Sequence, residues 1–163
     1  MTTALFIGRF QPFHNTHLEV VKDILKENDK VIIAIGSSQE NSTKENPFSY
    51  EERKHMIKET VMQNKIKNFE IVELPDFFDD EKWTDYIKKK IPKFDVAYSG
   101  NPVTINCFGK SGIRVKKIKL IEGVNGTKIR ERMFVGSDWK KFVPKQISSF
   151  IEKSNGVERI RKL

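Results

Sequence analysis

The sequence predicts an α/β fold in which an open parallel β-sheet carries helices on both faces and the C-terminal part is helical. Short apolar runs alternate along the chain with amphipathic helical patterns, as in parallel strands joined by crossover helices. Several runs end at glycine or small polar residues: 4–7 at Gly8, 31–35 at Gly36, and 94–98 at Ser99 and Gly100. Because ligands bind beyond the carboxyl ends of parallel strands, we expect these ends to form a crevice.

Periodicity assigns the elements in chain order. A buried strand at 4–7 precedes a helix marked by apolar residues at 18, 21, 24 and 25, and a doubly buried strand follows at 31–35. Ser49 and Glu52 form a capping box that begins a helix ending near Gln63. The remaining predictions are strands at 69–74, 94–99 and 113–118, and helices at 81–91, from Pro102, at 127–135, at 137–142, from Pro144, and in a tail at 157–163.

Length and composition favour one cytoplasmic domain spanning 1–163. The chain has 163 residues, 37% of them hydrophobic and 32% charged, which is ordinary for a globular protein. No apolar run approaches the ~20 residues that a membrane span needs. Cys107 is the only cysteine, so an internal disulfide is impossible and a reducing compartment is the expected setting.

The net charge of +8 favours anionic partners. Basic residues are spread along the chain, which indicates solvated faces, and neither a helix-turn-helix nor an RNA-recognition motif is present. A nucleic-acid-binding module is therefore the weaker alternative, and phosphorylated small molecules are the favoured ligands.

The stretch from Gly8 to His17 carries the chemistry. It joins the first strand to the first helix, whose N-terminal N–H groups suit a phosphate. His14 and His17 are three residues apart, a spacing that places both on one helix face. Neither the Gly-rich dinucleotide fingerprint nor a Walker A pattern is present, so nucleotide binding is expected to use this turn.

This stretch resembles the signature G-R-F-Q-P-F-H-x-G-H of the H-x-G-H nucleotidyltransferase superfamily, and the chain resembles the archaeal nicotinamide-nucleotide adenylyltransferases nearly end to end. The most specific further match is Gly126 to Arg130, and supporting blocks lie at 36–39, 46–48, 52–53, 98–102, 138–139 and 155–160. The resemblance implies a Rossmann-like fold and adenylyl transfer from ATP to nicotinamide mononucleotide, giving NAD and pyrophosphate. It also implies Mg²⁺ bound through the substrate phosphates and a homo-oligomer, a hexamer in relatives.

The same resemblance implies the site residues. His14, His17 and Arg130 would be catalytic, and Trp83 would stack on the nicotinamide ring. Gly100 and Asn101 would contact adenosine. The remaining ATP and phosphate contacts would come from Gly8, Arg9, Phe10, Lys44, Gly126 and Thr127. No protein metal ligand is implied. A simple helix cap at Asn101 and a core-facing Trp83 remain alternatives.

Three residues depart from the family pattern. Thr16 stands where the signature has glycine, Asn125 where serine is usual, and Lys44 where relatives place an arginine. Lysine keeps the charge but lacks the bidentate fork of arginine.

The choice between nicotinamide and nicotinic acid mononucleotide stays open, and so does the alternative of a sister transferase that uses FMN, pantetheine phosphate or a cytidylyl acceptor. The acidic run at 76–81 is interpreted as a solvated loop, His55 as a surface residue and Trp139 as packing.

Overall fold

A computed structural model describes all residues, 1–163. In chain order its elements are β1 (Thr3–Gly8), α1 (Asn15–Glu27), β2 (Lys30–Gly36), α2 (Tyr50–Gln63), β3 (Phe69–Leu74), α3 (Asp80–Lys90), β4 (Val96–Ser99), α4 (Pro102–Lys110), β5 (Val115–Lys117), α5 (Gly126–Val135), a 3₁₀ helix (Lys140–Phe142), α6 (Lys145–Lys153) and α7 (Gly156–Arg161). None of these helices has the length and apolar character to cross a bilayer.

The internal contacts divide the chain into two compact units, each assembled from three stretches. The first unit comprises 1–8, 20–38 and 68–120, and the second comprises 9–19, 39–67 and 121–163. A single domain over 1–163 stays a prediction.

The first unit contains the whole sheet, whose five strands are parallel and lie in the order β3-β2-β1-β4-β5. This confirms the predicted parallel α/β fold. The connections run outward from β1 to β3 and then return to β4, so the strand order switches between β1 and β4. Phe6 pairs with Tyr98 in that register, so both strands end at nearly the same level, at Gly8 and Ser99. Ligands of open α/β sheets bind at such a switch point.

Helices cover both faces of the sheet within the first unit. On one face, Leu5 and Ala97 belong to a buried cluster with Ile87 of α3 and Phe108 of α4. Successive strand residues point to opposite faces. Tyr98 therefore faces the other side, where its hydroxyl donates to Glu27 at the end of α1, at 3.2 Å. The expected covering of both faces is confirmed.

The second unit is helical, and the predicted capping box begins its α2. The Ser49 hydroxyl accepts from the Glu52 N–H at 3.2 Å, and the Glu52 carboxylate accepts from the Ser49 N–H at 2.9 Å. Arg159 of α7 donates to both oxygens of Glu52, at 2.6 and 3.0 Å. Burial raises the pKa of Glu52, but these hydrogen bonds outweigh it and the pKa lies below its usual value. One carboxylate thus joins α2 to α7.

Two elements are only about half as long as expected. The last strand occupies only Val115–Lys117, because it lies at the sheet edge and pairs with three residues of the four-residue β4. The helix expected at 137–142 is only the 3₁₀ helix. Gly136 adopts a left-handed φ of 76° and the Ser137 N–H bonds back to the Arg132 carbonyl at 2.9 Å, which ends α5 and turns the chain.

Candidate active site

The turn after β1 holds two histidines at the start of α1. The His14 carbonyl accepts from the Leu18 N–H at 3.1 Å, which is the first hydrogen bond of the helix. The His14 N–H, which has no helical acceptor, donates to Nδ1 of His17 at 3.1 Å. Because Nδ1 of His17 accepts, the neutral ring carries its proton on Nε2. The donor atom of the neutral His17 ring is therefore Nε2.

The two imidazoles stack on each other, with ring centroids 3.6 Å apart and 19° between the planes. Phe10 meets His17 edge-on at 4.8 Å, and Phe13 lies 5.3 Å from the same ring. Burial lowers the pKa of His14 to about 4. Burial, followed by the neighbouring His14, also lowers the pKa of His17 well below its usual value. Both rings are neutral near pH 7, so they act as polar N–H groups rather than as cations.

Phe10 supports this pair rather than exposing a side chain. Its ring is buried, and its backbone adopts φ 54°, in the left-handed region. The edge-on contact of this ring fixes the position of the His17 imidazole.

Arg130 of α5 brings a positive charge to the same turn. Its guanidinium is buried and donates to the Gln11 carbonyl at 2.7 Å and to the Thr127 hydroxyl at 3.4 Å. Burial, followed by the charge of Arg9, lowers the pKa of Arg130. Neither arginine forms an ion pair with a carboxylate. Arg9 and Arg130 are neighbouring like charges, only partly offset at Arg130 by Glu45 and Glu131, and this makes the site suited to an anion.

Gly126 and Asn125 explain how α5 reaches this position. A Cβ on Gly126 would lie 3.0 Å from Nη1 of Arg130 and 3.2 Å from the Gln11 carbonyl oxygen. Glycine therefore leaves room for the bond between Arg130 and Gln11. Asn125 is the N-cap, and its side chain accepts from the Lys128 N–H at 2.9 Å. This residue replaces the usual serine without loss of the cap.

The sequence did not single out two residues that build the site. The buried Gln11 side chain donates to the Phe48 carbonyl at 2.8 Å and accepts from the Phe48 N–H at 3.0 Å. Arg53 is fully buried and donates to the carbonyls of Arg9 (2.9 Å), Ser49 (3.2 Å) and Glu40 (3.4 Å). Through these hydrogen bonds, Gln11 and Arg53 both fix the positions of backbone groups in the site. Their only sequence signal was membership of the blocks that resemble the family.

Three buried polar atoms in the second unit have no hydrogen-bond partner. They are Nδ1 of His14, Oγ1 of Thr16 and Oδ1 of Asn46. Buried polar groups are almost always paired, so each such atom calls for an explanation. Two of the three lie at the start of α1.

The other expected binding residues lie apart from this cluster in sequence. Lys44 is exposed in the 39–49 segment of the second unit. In the first unit, Asn101 caps α4 by accepting from the Val103 N–H at 2.9 Å, and Gly100 lies within the strand-to-helix turn. Trp83 is half-buried and stacks on Phe108, with centroids 5.5 Å apart. The alternatives of a helix cap and a packed tryptophan therefore describe part of what these residues do.

The remaining sequence interpretations concern residues outside the site. His55 is exposed and Trp139 is buried, as expected. The chain holds no cluster of three or more His, Cys, Asp or Glu that could bind a metal ion. In the acidic run, the Asp79 carboxylate accepts from the N–H groups of Glu81 and Lys82, and so caps α3.

Comparison with known proteins assigns this chain to a family. Residues 5–151 match the family described as Cytidylyltransferase-like. The nicotinamide-nucleotide adenylyltransferase of Thermoplasma volcanium is 40% identical over 98% of this chain and 91% of its own length. The enzyme of the same name from Archaeoglobus fulgidus is 38% identical over 98% and 96%.

A solved structure gives the same result. The bifunctional NMN adenylyltransferase/ADP ribose pyrophosphatase from Francisella tularensis, complexed with AMP and a manganese ion, matches with a TM-score of 0.84. Its identity is 26% over 99% of this chain. The present chain spans about half of that bifunctional protein, 51% of its length.

Replacing Gln11 with methionine is expected to lower the free energy of unfolding by about 2 kcal/mol, because the buried N–H and carbonyl of Phe48 lose their partners. Gln146→Met is the matched control, since Gln146 makes one exposed side-chain bond to Gln63. That change is expected to stay within about 0.5 kcal/mol. Urea denaturation measures both, and equal effects would contradict the role given to Gln11.

Acid is expected to destabilise the protein through the buried histidines. His14 has a pKa of about 4 when folded and about 6.5 when unfolded, so between these values the unfolded chain binds a proton that the native state excludes. Stability is therefore complete above pH 6.5 and falls by about 3 kcal/mol as the pH drops to 4. His14→Gln removes this titration, so its unfolding midpoint should fall less than that of the parent. Parallel curves for the two proteins would contradict the assignment.

Proposed function

We propose that this chain transfers the adenylyl group of ATP to nicotinamide mononucleotide. The chain belongs to the cytidylyltransferase-like family and, within it, to the nicotinamide-nucleotide adenylyltransferases. The products of the proposed reaction are NAD and pyrophosphate. The observation that carries the proposal is the stacked pair of neutral histidines in one turn with the buried Arg130, which is held there by its bond to the Gln11 carbonyl.

The reaction is an in-line displacement. A phosphate oxygen of nicotinamide mononucleotide bonds to the α-phosphorus of ATP, and the bond from that phosphorus to the bridging oxygen of the β-phosphate breaks. The electron pair leaves with pyrophosphate. Because the attacking phosphate is already an anion near pH 7, no general base is needed. The protein has to bring two anions together and stabilise the charge that develops around phosphorus.

The turn supplies donors of two kinds for this task. The His17 Nε2–H, and the His14 ring beside it, offer hydrogen bonds without adding charge to a buried site. Arg130 and Arg9 offer positive charge, and neither forms an ion pair with a carboxylate. We assign His17 to the transferred phosphoryl group and Arg130 to the leaving pyrophosphate. Lys44, Gly8, Phe10, Gly126 and Thr127 are proposed to hold the ATP phosphates.

The metal is proposed to be Mg²⁺, carried by the substrate phosphates. The chain fits this arrangement, because its turn is lined by cations and N–H donors and no carboxylate cluster is available as a protein site. When bound, the ion would add positive charge to the phosphate oxygens. The solved relative contains AMP with manganese, which supports the use of a divalent ion.

The two substrates differ in what their non-phosphate parts need. Gly100 and Asn101 are proposed to contact the adenosine, and Trp83 to stack on the nicotinamide ring with the face that does not pack on Phe108. A pyridinium over an aromatic face gains ~0.5–2 kcal/mol. A cytoplasmic location and assembly into a homo-oligomer, a hexamer by family resemblance, belong to the same proposal.

Incubation with ATP and one acceptor at a time tests the reaction. We expect NAD and pyrophosphate to form from nicotinamide mononucleotide, as measured by chromatography. FMN and pantetheine phosphate, the acceptors of sister transferases, should give at most trace product. Formation of FAD without NAD would contradict the proposal, and a gel shift with DNA or RNA at physiological salt should show no complex.

Replacing His17 with alanine is expected to lower the transfer rate by about 10²-fold, as for loss of a donor aimed at developing charge. The folding transition should stay cooperative, with a small loss of stability because the His14 N–H loses its acceptor. His55→Ala is the matched control, since His55 is exposed in α2. Its turnover should match the parent, and near-normal turnover in His17→Ala would show that His17 does not stabilise the transition state.

A further inference from the structure

We propose that the hydroxyl of Thr16 is an additional substrate ligand, which donates a hydrogen bond to a phosphate oxygen of the nucleotide at the start of α1. The inference rests on the proposed function for the identity of the nucleotide. The geometry of this one residue carries the rest.

The Thr16 side chain is buried yet unsatisfied. The residue is 1% exposed, and its Oγ1 has no hydrogen-bond partner. A buried hydroxyl in this condition destabilises the free protein, so a hydrophobic residue of the same shape would be the better choice for folding alone. The hydroxyl therefore has a use other than stability.

Helix chemistry does not provide that use. A threonine inside a helix can donate to the carbonyl four residues earlier. Thr60 does so to Met56 at 2.7 Å, and Thr84 does so to Asp80 at 3.0 Å. Thr16 is the second residue of α1, so the residue four positions earlier is Pro12, which lies outside the helix, and no such bond forms.

The surroundings of Thr16 favour an anionic oxygen as the missing partner. Thr16 lies between His14 and His17 in the chain, in the first turn of a 13-residue helix whose leading N–H groups have no helical acceptor. The Nδ1 atom of His14, immediately before this helix, is a second buried polar atom without a partner. Arg130 is hydrogen-bonded to Gln11 in the same turn. A phosphate oxygen can accept several donors at once, which suits this set.

The departure from the family signature then has a physical meaning. Glycine at this position would offer the backbone alone, whereas threonine adds one hydroxyl donor. No group inside the protein accepts a hydrogen bond from the added donor, which is buried in the free protein. Binding affinity for the phosphate-bearing substrate is the property that the substitution should change.

Thr16→Val tests the proposal, because valine keeps the branched shape and removes the hydroxyl. Thr60→Val is the matched control, since Thr60 is equally buried but its hydroxyl is paired. Calorimetric titration with ATP, inorganic pyrophosphate and adenosine, each without a second substrate, measures affinity apart from the transfer reaction. Thermal unfolding of the free proteins is the second readout, Thr16→Ser is the conservative variant, and Thr16→Ala replaces Thr16→Val if the latter does not fold.

We expect Thr16→Val to weaken ATP and pyrophosphate binding about tenfold, with adenosine binding unchanged, while the unfolding temperature of the free protein stays equal or rises. Thr60→Val should lower the unfolding temperature and leave ATP binding unchanged, and Thr16→Ser should retain most of the affinity. A lower unfolding temperature for Thr16→Val with unchanged ATP affinity would overturn the proposal, as would equal weakening of adenosine and ATP. If no acceptor is adenylylated yet pyrophosphate binding still depends on Thr16, the proposed function fails and this inference stands.

Discussion

The bonds between the Gln11 amide and the backbone of Phe48 are the constraint on which the helical unit's site depends. The two residues are 37 positions apart, and the side chain both donates and accepts, so it fixes the position and the orientation of the Phe48 peptide. The carbonyl of the same glutamine accepts from Arg130. One residue therefore sets the spacing between the histidine turn, the 46–48 segment and α5. Satisfying three buried backbone partners in this way leaves the charge of Arg130 for the ligand.

Burial decides which role each polar side chain can take. The stacked histidines have lost their charge to desolvation, and the buried arginines, Arg53 and Arg130, donate to backbone carbonyls. Positive charge and hydrogen-bond donors thus come from different residues. This division suits a reaction between two anions. Uncharged donors can stabilise the charge that develops at phosphorus, while the arginine attracts both anionic substrates. A pair of cationic histidines would have added repulsion beside Arg130.

The sequence predicts the sheet well because its signals are local or periodic. The buried runs of β1 and β2, the capping box at Ser49 and the start of α4 at Pro102 each depend on neighbouring residues, and each is found. The resemblance also brought His14, His17 and Arg130 to attention. The bond from Gln11 to Phe48 joins distant positions through one side chain, so no periodic pattern in the sequence predicts it. The protonation of His17 depends on its burial, which several parts of the fold create together. The site's chemistry therefore required the fold.

In the free protein, several charged and polar groups near the histidine turn are not fully compensated. Burial, followed by the nearby charge of Arg9, lowers the pKa of Arg130, and two polar atoms at the start of α1 are buried without partners. A packed interior tolerates few such groups unless something else satisfies them. A bound phosphate would offset the repulsion between the two arginines and accept hydrogen bonds at the start of α1, so groups that destabilise the free protein would contribute to binding. Under the proposed function, the same residues would favour the transition state over the bound substrates where negative charge develops close to them.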